Sequence, residues 1–274
     1  MVSLGSSDSD QNSLSKVANN FIIDRCYIHG HPDARIRRGI SLNSEYTNIL
    51  NSYISDIHVL VTDTDCQAIA ALNGPGKYLI QNNYLEASSE NVLIGGNDPH
   101  ITNLVPSDIV IRHNLMSKNV SWYTRTPACN VKNIFELKNA RRVSIRENIM
   151  ENNWVGAQQG YGILFTVRNQ GGTAPWSTIE DVDFSDNIVR NTPAAINILA
   201  EDDLYSSENI KNLRITYNLI SSISTIQTTL DTQFGKCVQL VNVPSGSPGT
   251  ENLTINHNTC VGKGNYHAFI YGDN

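Results

Sequence analysis

The sequence predicts an all-β chain, a single-stranded right-handed parallel β-helix of about eight coils with an asparagine ladder inside it. Three observations lead there. The segments "IIDRCYI", "ILNSYIS", "LIQNNYL", "VIRHNLM", "SIRENIM", "DFSDNIV", "RITYNLI" and "TINHNTC" superimpose as one strand pattern, returning about every 26 to 40 residues, which is the period of a repeat architecture. Within that pattern Asn83, Asn114, Asn148, Asn187, Asn218 and Asn258 stand at one phase, and Cys26 and Ser52 fill it earlier. Parallel rungs lie about 4.8 Å apart, so stacked amides can bond to one another and to the turn backbone, which satisfies their buried polar atoms. Finally, a second apolar or alternating strand accompanies each repeat, in "GISL", "AIAAL", "NVLIGG", "IFELK", "GILFTV", "AINILA", "CVQLV" and "AFIYG".

An antiparallel sandwich would also show many short strands, but nothing in it requires one residue type at one phase of successive repeats. The links, such as "NGPGK", "GGNDP" and "NQGG", supply the turn residues a tight coil needs, and no longer segment reads as an amphipathic helix. Residues 1–274 therefore read as one domain with residues 1–20 as a lead-in. Neither end carries an evident cap, so the chain is expected to be a piece of a longer protein or to associate head to tail through open strand edges.

Composition narrows the function. With 20 Lys and Arg against 26 Asp and Glu, net charge −6, there is no polybasic footprint for nucleic acid. No run approaches the roughly 18 apolar residues of a spanning helix, and the opening "VSLGSSDSDQNS" lacks the apolar core of a secretion signal. The five cysteines have no metal-type spacing and an odd count, and read mostly as small buried hydrophobes.

Phase arithmetic places the chemistry. With Phe135 and Leu137 inward in "IFELKNA", and Phe165 and Val167 inward in "ILFTVRNQGG", Lys138 and Arg168 point outward at one phase of consecutive coils. Glu136 lies on the same face. Asn73, Asn97, Asp98, Asn139, Asn169, Gln170, Glu201 and Asp202 occupy the turns after the same strands, which makes a polar groove a candidate substrate site.

The run "FELKNARRVSIRENIMENN" followed by "GILFTVRNQGG" resembles the chondroitinase B and alginate lyase family of polysaccharide lyases, within the pectate-lyase-like β-helices. The resemblance covers about a fifth of the chain. Asn139 and Asn169-Gln170 stand where that family carries Ser and a pair such as His-Gly. It implies an acidic, uronate-containing polysaccharide as substrate, β-elimination as reaction, Lys138 and Arg168 as catalytic residues, and a calcium ion beside Glu136. An extracellular or periplasmic setting follows by analogy. Such chemistry removes a weakly acidic proton beside a carboxylate, whose charge a cation must offset; Arg168 would do that while Lys138 acts as base. The proton for the leaving oxygen could come from Arg168, Tyr161 or water.

Other fragments carry weaker signals. Asp98-Pro99-His100 is similar to part of the Asp-Pro-His-Glu motif of mannuronan epimerases, although Ile101 replaces the glutamate and turn geometry is the stronger explanation of the fragment. His29, His31, His58, His113, His257 and His267 are scattered. Trp122, Trp154 and Trp176 are candidate sugar platforms, and the "SWYTRTPACN" insertion could wall the groove. Glycoside hydrolysis is the rival chemistry, with Asp98 and either Glu201 or Asp202 as the carboxylate pair. A structural, adhesive or passive sugar-binding protein is the alternative without chemistry.

Overall fold

The computed structural model describes residues 1–223, 235–242, 249–262 and 268–272. The chain winds as an all-β solenoid in which each circuit adds one strand to each of three parallel sheets in turn, the arrangement expected of a parallel β-helix. The first sheet has nine strands, from Val2–Leu4 to Ala268–Gly272. The second has eight, from Asn19–Asp24 to Thr254–Asn256, and the third eight, from Tyr27–His29 to Thr259–Gly262. Among the described residues the only helical pieces are 3-10 turns at Leu14–Lys16 and Val120–Thr124, and no helix is long and apolar enough to cross a membrane.

Sequence patterning resolved two strands per circuit, and the third comes from a bend inside the recurring segment. In "VIRHNLM", strand Ser107–Arg112 ends, His113 turns left-handed at φ 55°, Asn114 fills the bend and Leu115–Ser117 begins the next sheet. Arg25, Asn51, Asn82, Glu147, Asp186, Tyr217 and His257 take the same conformation in the other repeats. Asn, Asp and His tolerate it best, whereas at Arg25, Glu147 and Tyr217 neighbouring bonds must offset the strain.

Those bonds run from circuit to circuit. Asn114 Nδ2 donates to Asn148 Oδ1 at 3.0 Å and to the carbonyls of Ile80 and Arg112. Its own Oδ1 accepts from the Asn83 backbone and side chain, both at 3.0 Å. The pattern repeats from Asn148 to Asn187, Asn187 to Asn218 and Asn218 to Asn258. Earlier, the Cys26 amide donates to Ser52 Oγ and the Ser52 amide to Asn83 Oδ1.

Inward rows of Ile, Val, Leu and Phe form one core cluster that extends from Leu4 to Val238. Phe135, Phe165 and Phe184 meet edge to face at its centre, with centroids 6.5 and 5.7 Å apart. The lead-in lies along the side of the coils: Gln11 Nε2 donates to the carbonyls of Asn43 and Asn73, and Val17 packs on Ile101 and Leu104. Cys66 and Cys129 are buried and Cys26 is exposed, while Cys237 and Cys260 form a disulfide, a pairing that cysteine spacing did not single out.

Candidate functional site

The site lies outside the first sheet, where its strands run into loops. Strand Phe135–Leu137 pairs with Tyr161–Thr166 so that Phe135 faces Ile163 and Leu137 faces Phe165. Phase arithmetic aligned Leu137 with Val167, two residues further on. A two-residue slip keeps every side chain on its own face and buries an aromatic ring either way, so alternation alone does not distinguish the registers. Beyond these pairs Arg168 begins the next loop, its amide donating to the Lys138 carbonyl at 3.0 Å.

Lys138 and Arg168 still share one cavity, of about 310 Å³, with Gln170, Asp202, Asp203, Leu204 and Tyr205. Gly95, at φ 85°, admits the lysine's strand end, since a Cβ there would lie 2.5 Å from the Asn139 amide nitrogen. The expected apposition of two cations is replaced by three ion pairs, one on the lysine and two on the arginine. Lys138 Nζ lies 3.7 Å from Glu136 Oε1 and donates to Gln170 Oε1 at 3.4 Å. The Arg168 guanidinium bonds Asp203 and lies 3.4 Å from Asp202 Oδ1.

Asp202 organises this wall. Its Oδ2 accepts from the Asn169 amide at 2.7 Å, and Oδ1 accepts from the amides of Leu204 and Tyr205 at 2.8 and 3.3 Å. The Tyr205 ring packs on Gly172, where a Cβ would lie 2.9 Å from the ring. Tyr205, Leu204 and Asp203 were missed by sequence reasoning because exposed loop residues carry no periodicity. Asp202→Asn is expected to lose about 2 kcal/mol, because an amide nitrogen cannot accept these N–H groups. A lower melting temperature with faster proteolytic cleavage at 202–207 would register it, and an unchanged cleavage rate would contradict it.

Several predicted ligands are structural instead. Asn73 is fully buried; it donates to the carbonyls of Ser6 and Gln11 and accepts from the amides of His100 and Ile101. Asn139 joins Leu104 to Thr178, and Asn169 joins Ser206 to Ala174. Asp98 Oδ2 accepts from the Gly171 and Thr173 amides and the Thr173 hydroxyl, closing one loop on another. Trp176 is half-buried, with Nε1 donating to the Leu104 carbonyl. A short polar side chain after a strand is what a tight turn needs, so the turn used them. Asn97 is exposed, and Glu201 lines a neighbouring cavity with Asp202 and Tyr205. The carboxylate pairing of Asp98 with Asp202 meets the same difficulty, since both are engaged by backbone amides.

Trp122 and Trp154 are buried in one cluster with Cys129 and Val131, so neither is a platform. The His58 ring lies tilted against Trp122, with centroids 5.7 Å apart, and has Nε2 3.0 Å from Arg125; burial holds its pKa below the ordinary value. His31 Nδ1 accepts from the Asp33 amide within its turn, and His267 lies outside the described residues. Tyr161 is buried and its hydroxyl donates to Gln239, away from the cavity walls.

Glu136 points outward yet is 2% exposed. Its oxygens accept from Thr166 Oγ1 at 3.1 Å and Asn133 Nδ2 at 3.2 Å. Beyond it Lys132 pairs with Asp65 and lies 3.4 Å from Glu90, which also accepts from Gln67. Burial pushes the Glu90 carboxyl up to about 7, against the pull of Lys132. Among the described residues no group of three or more His, Cys, Asp or Glu side chains is placed to hold a metal ion. With its oxygens committed to Thr166, Asn133 and Lys138, Glu136 does not fit the calcium role the resemblance implied.

Comparison with known proteins returns no matching family model, no matching curated protein and no matching solved structure.

Proposed function

We propose that this chain is a carbohydrate-active right-handed parallel β-helix of about eight coils, ordered by its asparagine ladder, that cleaves a uronate-containing polysaccharide by β-elimination. The observation that carries the reading is the cavity in which a lysine amine, a guanidinium held by carboxylates and a phenol face one space. In this reading Lys138 removes the proton on the carbon beside the uronate carboxylate, and Arg168 offsets the carboxylate charge. The electron pair forms the new carbon–carbon double bond as the glycosidic oxygen leaves. Tyr205 takes the place given to Tyr161 as the proton source for that oxygen, and its ring edge borders the sugar. Gln170 holds the lysine toward the cavity. No metal is invoked.

The Cys237–Cys260 disulfide supports an extracellular or periplasmic setting, because such bonds persist where the environment is oxidising. The test is incubation with alginate, chondroitin and pectin, following ultraviolet absorbance of the unsaturated product. Lys138→Ala is expected to abolish the signal, by about 1,000-fold or more. Cleavage undiminished in that variant removes Lys138 from the mechanism; reducing ends released without an absorbing product indicate hydrolysis, and binding without product indicates a passive module.

A further inference from the structure

One buried cation takes no part in this chemistry. Lys118 follows strand Leu115–Ser117, and its side chain is 1% exposed. Its Nζ contacts the carbonyl oxygens of Ala87, Ser88, Ser89 and Asn133 at 3.2, 3.0, 2.7 and 2.9 Å, and Asn91 Oδ1 at 3.3 Å. An ammonium has three N–H groups, so five oxygens exceed what directional hydrogen bonding uses. The arrangement is that of a coordination shell around a sphere of positive charge.

The shell is held independently of the lysine. The Ser88 amide donates to the Ile57 carbonyl, the Glu90 amide to Cys66 and the Asn91 amide to Ile134. Asn91 Nδ2 donates to the carbonyls of Leu85 and Ser117, which leaves its Oδ1 turned to the cage. We propose that this corner is a monovalent-cation site of potassium size, built from neutral oxygens, in which the Lys118 ammonium is the resident ion. The distances favour that class: calcium draws oxygens to about 2.3–2.6 Å and recruits carboxylates, whereas rings of carbonyls replace the hydration shell of potassium. Burial works against the charge and pulls the Lys118 amine down to about 7, and Glu90 opposes that pull, so a cation in this corner depends on the surrounding oxygens to offset its desolvation.

The test removes the tethered amine and offers free ions. Lys118→Ala is melted in KCl, NaCl and choline chloride at matched ionic strength, beside wild type and Lys118→Met, whose thioether keeps the cage filled. Potassium is expected to raise the alanine variant's midpoint by roughly 3–5 °C per tenfold increase above its dissociation constant, leaving wild type and the methionine variant unmoved relative to choline. Equal midpoints for the alanine variant in potassium and choline would overturn the proposal, as would an equal potassium response from the methionine variant. Should the alanine variant not fold in choline, refolding from urea in each salt supplies the readout: recovery in KCl supports the site, and equal failure in all salts refutes it.

Discussion

Asn148→Ala is expected to lower the unfolding free energy by about 4 kcal/mol, among the largest effects of any single polar substitution here. Asn148 Nδ2 donates to Asn187 Oδ1 and to the carbonyls of Ile111 and Arg146, and its Oδ1 accepts from the Asn114 amide and side chain. Deletion leaves several buried groups without partners on two circuits at once, where water cannot replace them. Asn258 serves one preceding neighbour and is only half-buried, so Asn258→Ala should lose about 1–2 kcal/mol. Urea denaturation compares the two, and equal losses would mean that the amides act locally.

The pH profile of stability should change sharply on Glu90→Gln. Burial raises the folded-state pKa of Glu90 from 4.5 to about 7, so between those values the folded chain holds a proton the unfolded chain has released. The stabilisation from that proton is complete below pH 4.5 and is lost as pH rises through 7, a change of about 3 kcal/mol at most. Glutamine has no proton to lose, so the variant should gain stability relative to wild type across this window. Lys118 shifts the opposite way, down to about 7, and contributes a rise in stability above neutrality that both proteins share in direction. Melting temperatures from pH 4.5 to 8 measure this, and parallel profiles would show that Glu90 stays ionised throughout. Lys132, Asp65 and Glu136 face the same carboxyl, so the lysine's release from Glu90 in the variant is part of the measured difference.

The parallel winding was legible because inward residues recur with every circuit and must bury a continuous core, which makes Ile, Val, Leu and Phe periodic wherever the loops lead. The third sheet was less legible. Its bend is made by one left-handed residue that varies among Arg, Asn, His, Glu, Asp and Tyr, and strand runs on both sides look continuous. Lys118 did leave a signal, since it shares the inward parity of Met116, and a charge at a core phase needs a cage of partners.

Taken alone, the amino-acid order determined that the chain repeats, which residues turn inward, and that Glu136, Lys138 and Arg168 gather on one side, because alternation along a strand is a local property. Only the tertiary structure decided the two-residue register between Leu137 and Phe165, the carboxylates that claim Lys138 and Arg168, and the tyrosine that completes the cavity. Those choices depend on side-chain volumes across neighbouring circuits and on where aperiodic loops return. Apart from the neighbouring Glu136–Lys138 pair, such contacts join residues 28 or more positions apart and leave no mark on either segment by itself.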